Sequence, residues 1–269
     1  MQKFFLSGLL GILLLTSPAN SFGGVDFDGT DDLLCGENQV TGFPTQHPLT
    51  ITAWIYPNDV GRSDSQIIFS YGDDPSASAA KGFSFSLITL TNDLRYTTRG
   101  VKDYDCTNCA VVNNEWQFVA VSVDIADDAT LYHYRPSTVT LTTQAATHTA
   151  DMVAPDASSD IRIGSLYSSN VQVCTSSTQY FDGIITEVHV YDTNLSAVQI
   201  SQLYLSQLKG LIVDQSNCAD AFLLNEEADG TSADGNTFSG FCNRNVLTGD
   251  DGAGNANLTA TAESFLSYH

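Results

Sequence analysis

Acidic residues occur in two short stretches of the chain whose chemistry suits a cation. Asp28, Asp31 and Asp32 surround a glycine in one turn, and Asp182 and Glu187 lie at the start and middle of a later strand. Calcium takes about six to eight oxygen ligands, mixing carboxylates with the carbonyl groups that tight glycine turns expose. If the first and last strands of the fold are neighbours, these carboxylates converge, and we predict a calcium site there. The alternative is that Asp-Gly is ordinary turn chemistry.

The N-terminal segment predicts export from the cell. Lys3 is followed by an apolar run over residues 4–15 and by small residues up to Ser21, as in a secretory signal peptide with cleavage after Ser21. The run is shorter than the roughly 20 apolar residues of a membrane-spanning helix, which disfavours the alternative of a single-pass anchor. We therefore expect residues 1–21 to be removed and the mature chain to be secreted, extracellular or at the cell surface. Sequons at Asn194 and Asn257 are then glycosylation sites if the host has the machinery.

The charge of the chain restricts its partners. With 31 acidic and 10 basic residues, the formal net charge is -21. Such a surface repels phosphate backbones and anionic lipids. We therefore expect no nucleic acid among the partners and no membrane insertion.

The cysteines predict disulfides. An even number in an exported chain favours three bridges. We predict that Cys218 pairs with Cys242, because both lie in the C-terminal region and bound one loop, and the pairing of the other four stays open. A zinc site using Cys106 and Cys109 is the alternative, disfavoured because no second closely spaced Cys or His pair follows. The six residues are Cys35, Cys106, Cys109, Cys174, Cys218 and Cys242.

Short strand-like runs bounded by Gly, Asp, Asn or Pro make up most of residues 24–204. Their alternating pattern and their spacing indicate an all-β fold, an antiparallel jelly-roll sandwich. One short C-terminal helix is predicted after the last strand, where Ser196 and Gln199 form a capping box and Ile200, Leu203 and Tyr204 give one apolar face. A loop-rich, disulfide-tied tail follows. The predicted strands are 49–56, 66–71, 82–88, 94–98, 116–123, 129–135, 160–164 and 183–191.

Four segments, in order, resemble the laminin-G-like jelly-roll domains, a branch of the concanavalin A-like lectin and glucanase superfamily. They are 25–32, 49–57, 114–121 and 180–204, the last combining an Asp-Gly turn, a strand and the capped helix. The resemblance implies one domain over residues 22–207, followed by an Asp/Asn/Gly-rich extension over residues 208–269. Members of the family often hold calcium, which is what the resemblance implies for the acidic turns.

The same resemblance allows a test for catalysis. Glycan-cleaving members set two acids on one face of a strand, about 5 Å apart, as retaining hydrolysis requires. On the strand 183–191, Glu187 has Ile185 and His189 as its same-face neighbours, and neither is an acid. Asp182 and Asp192 lie five residues away, on the opposite face. We therefore expect no catalytic residues and no enzyme activity, and we expect His189 on an exposed face.

Tyrosines near strand ends or loops could stack on sugars, with burial in the core as the alternative. They are Tyr71, Tyr96, Tyr104, Tyr167 and Tyr180. The leading hypothesis is a secreted, non-catalytic, calcium-stabilised module that binds an extracellular glycan or protein ligand. The alternative is a structural subunit of an extracellular or cell-surface assembly, which would self-assemble.

Overall fold

Two large β-sheets and one helix dominate the computed structural model of the protein. The structure describes residues 21–36, 42–73, 80–138, 140–147, 152–155, 159–167, 177–208, 217–224, 237–239, 242, 246–250 and 259–264. The elements are β1 (Ser21–Asp28), β2 (Leu33–Gly36), β3 (Leu49–Pro57), β4 (Gln66–Asp73), β5 (Lys81–Leu87), β6 (Leu94–Thr98), β7 (Lys102–Cys106), β8 (Gln117–Val123), β9 (Ala129–Arg135), β10 (Thr140–Ala146), β11 (Asp160–Ile163), β12 (Leu166–Tyr167), β13 (Ser177–Thr178), β14 (Asp182–Tyr191), α1 (Ala197–Leu208), β15 (Cys218–Phe222), β16 (Thr237–Ser239), β17 (Val246–Asp250) and β18 (Thr259–Ser264).

The two sheets confirm the predicted antiparallel sandwich. The first sheet has the order β10-β9-β8-β3-β14-β1-β18, with β15 beside β14, and the second has the order β16-β17-β2-β11-β4-β5-β6-β7. A small hairpin, β12–β13, stands beside them. The predicted strands 94–98 and 129–135 coincide with β6 and β9, and the other six agree with the observed bounds within two residues.

Both faces of the central strands are buried, because the first sheet is covered on its inner face by the second sheet and on its outer face by α1. Along β8, Val119, Val121 and Val123 belong to the core between the sheets. Phe118 and Ala120 point the other way, into a second cluster that includes residues of α1. This explains why a strand with perfect alternation has no exposed residue.

The capped helix is confirmed. The backbone N–H of Ser196 donates to Gln199 Oε1 at 3.0 Å, and the N–H of Gln199 donates to Ser196 Oγ at 3.4 Å. Ile200 and Leu203 are buried on the sheet, and the ring of Tyr204 stacks on Tyr134 with centroids 4.5 Å apart.

The described parts of the C-terminal extension belong to the sandwich. Strand β15 pairs with residues 188–191 of β14, and β1 pairs with residues 182–185 of the same strand. Strand β18 pairs with β1. In the second sheet, β17 pairs with β2. The extension therefore completes both sheets, which its Asp, Asn, Gly and Thr content did not indicate.

The disulfide between Cys218 and Cys242 is present as predicted. Asp220, which is fully buried, supports it, since its Oδ1 accepts the backbone N–H groups of Cys242 at 2.9 Å and of Ala221 at 3.0 Å. Cys106 and Cys109 form a disulfide with each other, so the zinc alternative is wrong.

The remaining predictions, on the N-terminal segment and the other cysteines, concern residues that lie partly outside the described part of the chain. Cys35 is disulfide-bonded, whereas Cys174 lies outside the described residues. The predicted signal peptide also lies outside them, apart from Ser21, the first residue of β1. Within the described part of the chain, no helix is both long and apolar enough to cross a membrane.

Candidate functional site

An acidic turn lies at the rim of the first sheet, where β1 ends and β14 begins. Asp28 and Asp182 are opposite each other in this antiparallel ladder. The chain leaves β1 through Gly29, which has a φ of 75°. A Cβ there would collide with the guanidinium of Arg62 and lie 2.8 Å from the Cβ of Asp182. Only glycine fits this position, because it combines a left-handed backbone with close packing.

Three of the five predicted metal ligands come together in this turn. Asp28, Asp31 and Asp32 each offer a carboxylate oxygen, and these oxygens lie within 4.8 Å of one another. Backbone N–H groups of the turn orient two of the carboxylates. Asp28 Oδ1 accepts from Thr30 at 2.7 Å and from Asp31 at 3.4 Å, and Asp32 Oδ2 accepts from Asp28 at 2.7 Å. Asp32 is buried, whereas Asp28 and Asp31 are partly exposed.

The geometry of the cluster fits calcium. Calcium–oxygen distances are about 2.3–2.6 Å, so ligands on opposite sides of one ion are about 5 Å apart. The 4.8 Å spread of the three oxygens is within this span. If calcium binds there, the three carboxylates would supply part of the coordination, and their partial exposure would leave room for oxygens from water or from a ligand.

Asp182 is paired with the guanidinium of Arg62. Arg62 Nη1 donates to Asp182 Oδ2 at 2.8 Å, and Arg62 Nη2 donates to the carbonyl of Gly29 at 2.5 Å. Burial raises the pKa of Asp182, and the hydrogen bond from Arg62 offsets part of that rise. Arg62 therefore connects β14 to the acidic turn with a guanidinium. Sequence reasoning missed it, although a basic residue between Asp59 and Asp64 in so acidic a chain is a usable signal.

Glu187 stands apart from the turn. It lies five residues beyond Asp182 along β14, about 16 Å away at the usual rise of a strand. Its φ is 50°, at an irregularity in the pairing of β14 with β3. His189 Nε2 donates to Glu187 Oε2 at 3.0 Å.

The expectation that His189 is exposed is wrong. Its residue exposure is only 7%, because it lies on the same face of β14 as the buried Tyr191, on the side of the sheet covered by α1. His189 Nδ1 is 3.4 Å from the hydroxyl of Tyr191. The histidine thus links Glu187 to the packed interior.

Most of the tyrosines considered for sugar stacking are core residues. Tyr71, Tyr96 and Tyr104 are buried, and burial raises the pKa of Tyr104 to about 12. Tyr180 is partly exposed and lies two residues before Asp182, near the acidic turn. The side chain of Tyr167 is outside the described part of the structure.

The sequon at Asn194 lies at the start of α1. Asn194 is exposed, but its Nδ2 donates to Ser122 Oγ at 2.9 Å, and Ser196 belongs to the capping box. A glycan on Nδ2 of Asn194 would have to be accommodated beside Ser122 and the helix cap. Asn257 is not among the described residues.

Comparisons with known proteins agree with this architecture. A laminin-G family model described as concanavalin A-like lectin/glucanases superfamily matches residues 28–201. No curated protein sequence matches the chain. Two solved structures are similar in fold, and a third has a TM-score below 0.5.

A proposed carbohydrate binding protein from Bacteroides ovatus has a TM-score of 0.59 and 16% identity, over 92% of this chain and 61% of that one. The enzymatically active domain of tailspike protein 2 from bacteriophage CBA120 has a TM-score of 0.51 and 12% identity, over 76% of this chain and 30% of that one. The CBM40 of the Ruminococcus gnavus IT-sialidase, bound to alpha2,3 sialyllactose, has a TM-score of 0.48 and 14% identity, over 66% of this chain and 95% of that one.

The family match spans well over half of the chain and includes the acidic turn, the central strands and the start of α1. The two-sheet antiparallel fold is the one that the resemblance implied. The chain therefore belongs to the concanavalin A-like lectin/glucanases superfamily, in its laminin-G-like branch.

Proposed function

We propose that the chain is a secreted, non-catalytic module that binds carbohydrate or another extracellular ligand at the acidic turn, with calcium bound there. The observation that carries this proposal is the convergence of Asp28, Asp31 and Asp32 to within 4.8 Å. Calcium would be held by these three carboxylates, and it would supply positive charge and open coordination positions for ligand oxygens.

The surroundings of the turn support ligand binding. Thr30 at its tip is exposed, so the turn is accessible from solvent. Tyr180, partly exposed and close in sequence to Asp182, can offer an aromatic face to a sugar ring. Disulfides at Cys106–Cys109 and Cys218–Cys242 suit an oxidising compartment, in agreement with secretion.

The arrangement of acids favours binding over hydrolysis. Retaining hydrolysis uses two carboxyl groups on either side of the scissile bond, about 5 Å apart. Among the described residues, the clustered carboxylates all come from one turn, where backbone amides orient two of them. Glu187, on the closing strand, is hydrogen-bonded to His189 instead of facing a second acid.

A glycan array probed with the mature protein tests the proposal. With calcium present, we expect binding to a defined set of glycans, and we expect it to disappear in chelator and in Asp31→Asn. Asp64→Asn, which removes an equally negative but exposed carboxylate of a nearby loop, should bind as the parent does. Glycan binding that persists in chelator and in Asp31→Asn would contradict the role of the acidic turn. An array without signals, together with calcium binding by calorimetry, would exclude the carbohydrate ligand.

A further inference from the structure

Arg62 places a positive charge of the chain itself at the acidic turn. Its two Nη atoms donate to Asp182 Oδ2 at 2.8 Å and to the carbonyl of Gly29 at 2.5 Å. A carboxylate and the carbonyl of a glycine turn are the kinds of oxygen that calcium takes as ligands. The guanidinium therefore occupies two oxygens that a metal ion at this rim could otherwise use.

The loop that carries Arg62 is anchored on both sides of this residue. Before it, the backbone N–H of Val60 donates to Asn113 Oδ1 at 2.8 Å. After it, Gln66 Oε1 accepts from the backbone N–H of Asp182 at 2.9 Å. The second anchor ties the loop to the same residue whose carboxylate Arg62 binds, so the fold itself holds the guanidinium at the rim.

The orientation of the carboxylate cluster does not depend on Arg62. Backbone N–H groups within the turn orient Asp28 and Asp32. Within the described residues, the hydrogen bonds of Arg62 go to Asp182 and Gly29 instead. Removing the guanidinium should therefore change the charge beside the cluster more than it changes the geometry of the cluster.

The guanidinium is close enough to the cluster to act on an ion there. Asp28 of the cluster is the cross-strand partner of Asp182, and Gly29 is its neighbour in sequence. Arg62, bound to both of these neighbours of Asp28, thus lies within about one Debye length, roughly 8–10 Å, of an ion held by Asp28. At this range a unit positive charge repels a divalent ion enough to weaken its binding about tenfold.

We propose that Arg62 sets the calcium affinity of the acidic turn and keeps it about tenfold weaker than the three carboxylates alone would make it. The inference rests on the proposed calcium site. Calcium modules that work outside cells bind the ion with Kd values of about 0.1–1 mM, and a fixed guanidinium shifts a site towards that range. Arg62 also compensates Asp182 when no ion is bound, so the turn keeps a charge partner in the absence of calcium.

Calorimetric titration of the chelator-treated mature protein with calcium chloride tests the proposal. Arg62→Met should bind calcium about tenfold more tightly than the parent. Arg62→Lys keeps the charge and should stay within about threefold of the parent. Asp182→Asn leaves the charge of Arg62 uncompensated and should bind calcium more weakly. A merely structural role of the ion pair would instead weaken calcium binding in Arg62→Met and in Asp182→Asn alike.

Lys102→Met is the matched control, because it removes an exposed positive charge from β7, the edge strand of the other sheet, and should bind calcium as the parent does. Circular dichroism checks that each variant is folded at the temperature of the titration. Calcium binding by the parent that is equal or weaker in Arg62→Met overturns this proposal and leaves the calcium site in place. Equal gains in Arg62→Met and Lys102→Met, or tighter binding by Asp182→Asn, also overturn it.

Absence of calcium binding has a separate meaning in this experiment. If neither the parent nor Arg62→Met binds calcium at millimolar concentration, the proposed calcium site is wrong and this inference falls with it. If Arg62→Met binds calcium and the parent does not, the guanidinium suppresses binding, as proposed.

Discussion

Asp28 and Asp182 are cross-strand partners at the end of the ladder between β1 and β14, yet only Asp28 belongs to the carboxylate cluster. The side chain of Asp182 is held by Arg62, which also donates to the carbonyl of Gly29. Two sources of positive charge can therefore act at this rim. Arg62 belongs to the chain and fixes the turn, whereas a bound cation would act on the cluster beside it.

Replacing Arg62 should destabilise the fold, because Arg62 connects β14 to the acidic turn. Arg62→Met keeps most of the side-chain stem but removes the hydrogen bonds from Arg62 to Asp182 and to the Gly29 carbonyl, which should lower the free energy of unfolding by about 1–3 kcal/mol. Urea denaturation measures this loss. Lys102→Met, which removes an exposed positive charge, is the control and should have little effect. In an Asp182→Asn background, Arg62→Met should have a smaller effect, and equal losses in both backgrounds would contradict the coupling.

Calcium should raise the thermal stability of the mature protein. Binding to the folded state alone stabilises by about 2.7 kcal/mol at a hundredfold excess of ion over Kd. Asp31→Asn should reduce the shift in melting temperature, whereas Asp64→Asn should retain it. Scanning fluorimetry with calcium and with chelator makes the comparison. Identical melting curves in both conditions, with no metal by elemental analysis, would show that the turn binds no calcium.

Acidic pH should destabilise the fold through His133. Burial, assisted by nearby Arg135, lowers the pKa of His133 to about 4, and its Nε2 donates to Gln117 Oε1 at 2.9 Å. An unfolded histidine titrates near pH 6.5, so the unfolded chain binds this proton first as the pH falls. Stability should therefore decrease between about pH 6.5 and 4, by about 3 kcal/mol in total. His133→Gln should make the free energy of unfolding, measured by urea denaturation, depend less on pH in this range. An unchanged dependence on pH would contradict the role of His133.

The disulfide of the C-terminal extension should stabilise the whole sandwich. Cys218 and Cys242 are 24 residues apart, and closing such a loop contributes about 3 kcal/mol in the loop-entropy model. The double variant to alanine should unfold earlier in denaturant and lose its extension first in limited proteolysis. The Cys106–Cys109 bridge spans three residues, so its removal should have the smaller loop-entropy effect. Unchanged stability without the Cys218–Cys242 bridge would mean that the extension is held by strand pairing alone.

No hydrolysis of common polysaccharides should be detectable above buffer background, with or without calcium. Glu187 bonds to His189 and has no acid beside it on β14. Glu187→Gln should therefore alter stability and leave reducing-sugar release at the background level. Release of reducing sugar by the parent that disappears in Glu187→Gln would place the chain among the hydrolases.

The strands that could be predicted are those in which apolar residues recur regularly because their side chains are buried against the sheets or the helix. In β3, β8 and β9, β-branched and aromatic residues recur with the period of a strand, so their bounds were predicted closely. Strands β15 to β18 are short and show no such period, although Ala219, Phe222 and Leu247 reach the core, and their pairing with β14, β2 and β1 is not visible in the sequence.

The same distinction applies to the site. Asp28, Asp31 and Asp32 converge because they are neighbours in one turn. Arg62 and Asp182 are 120 residues apart, and only the assembled rim brings them together. Glu187 was predicted on the correct strand, but it lies five residues along β14 from Asp182 and therefore far from the turn.

The pairing of β1 with β18 has a consequence for engineering. Ser21 and Ser264 stand opposite each other at the end of this ladder, so the two ends of the described chain leave the molecule from the same corner. A short flexible linker between them would close the chain into a ring with little disturbance. New ends could then be opened in the exposed turn around Leu90, and such a circular permutant should keep both sheets.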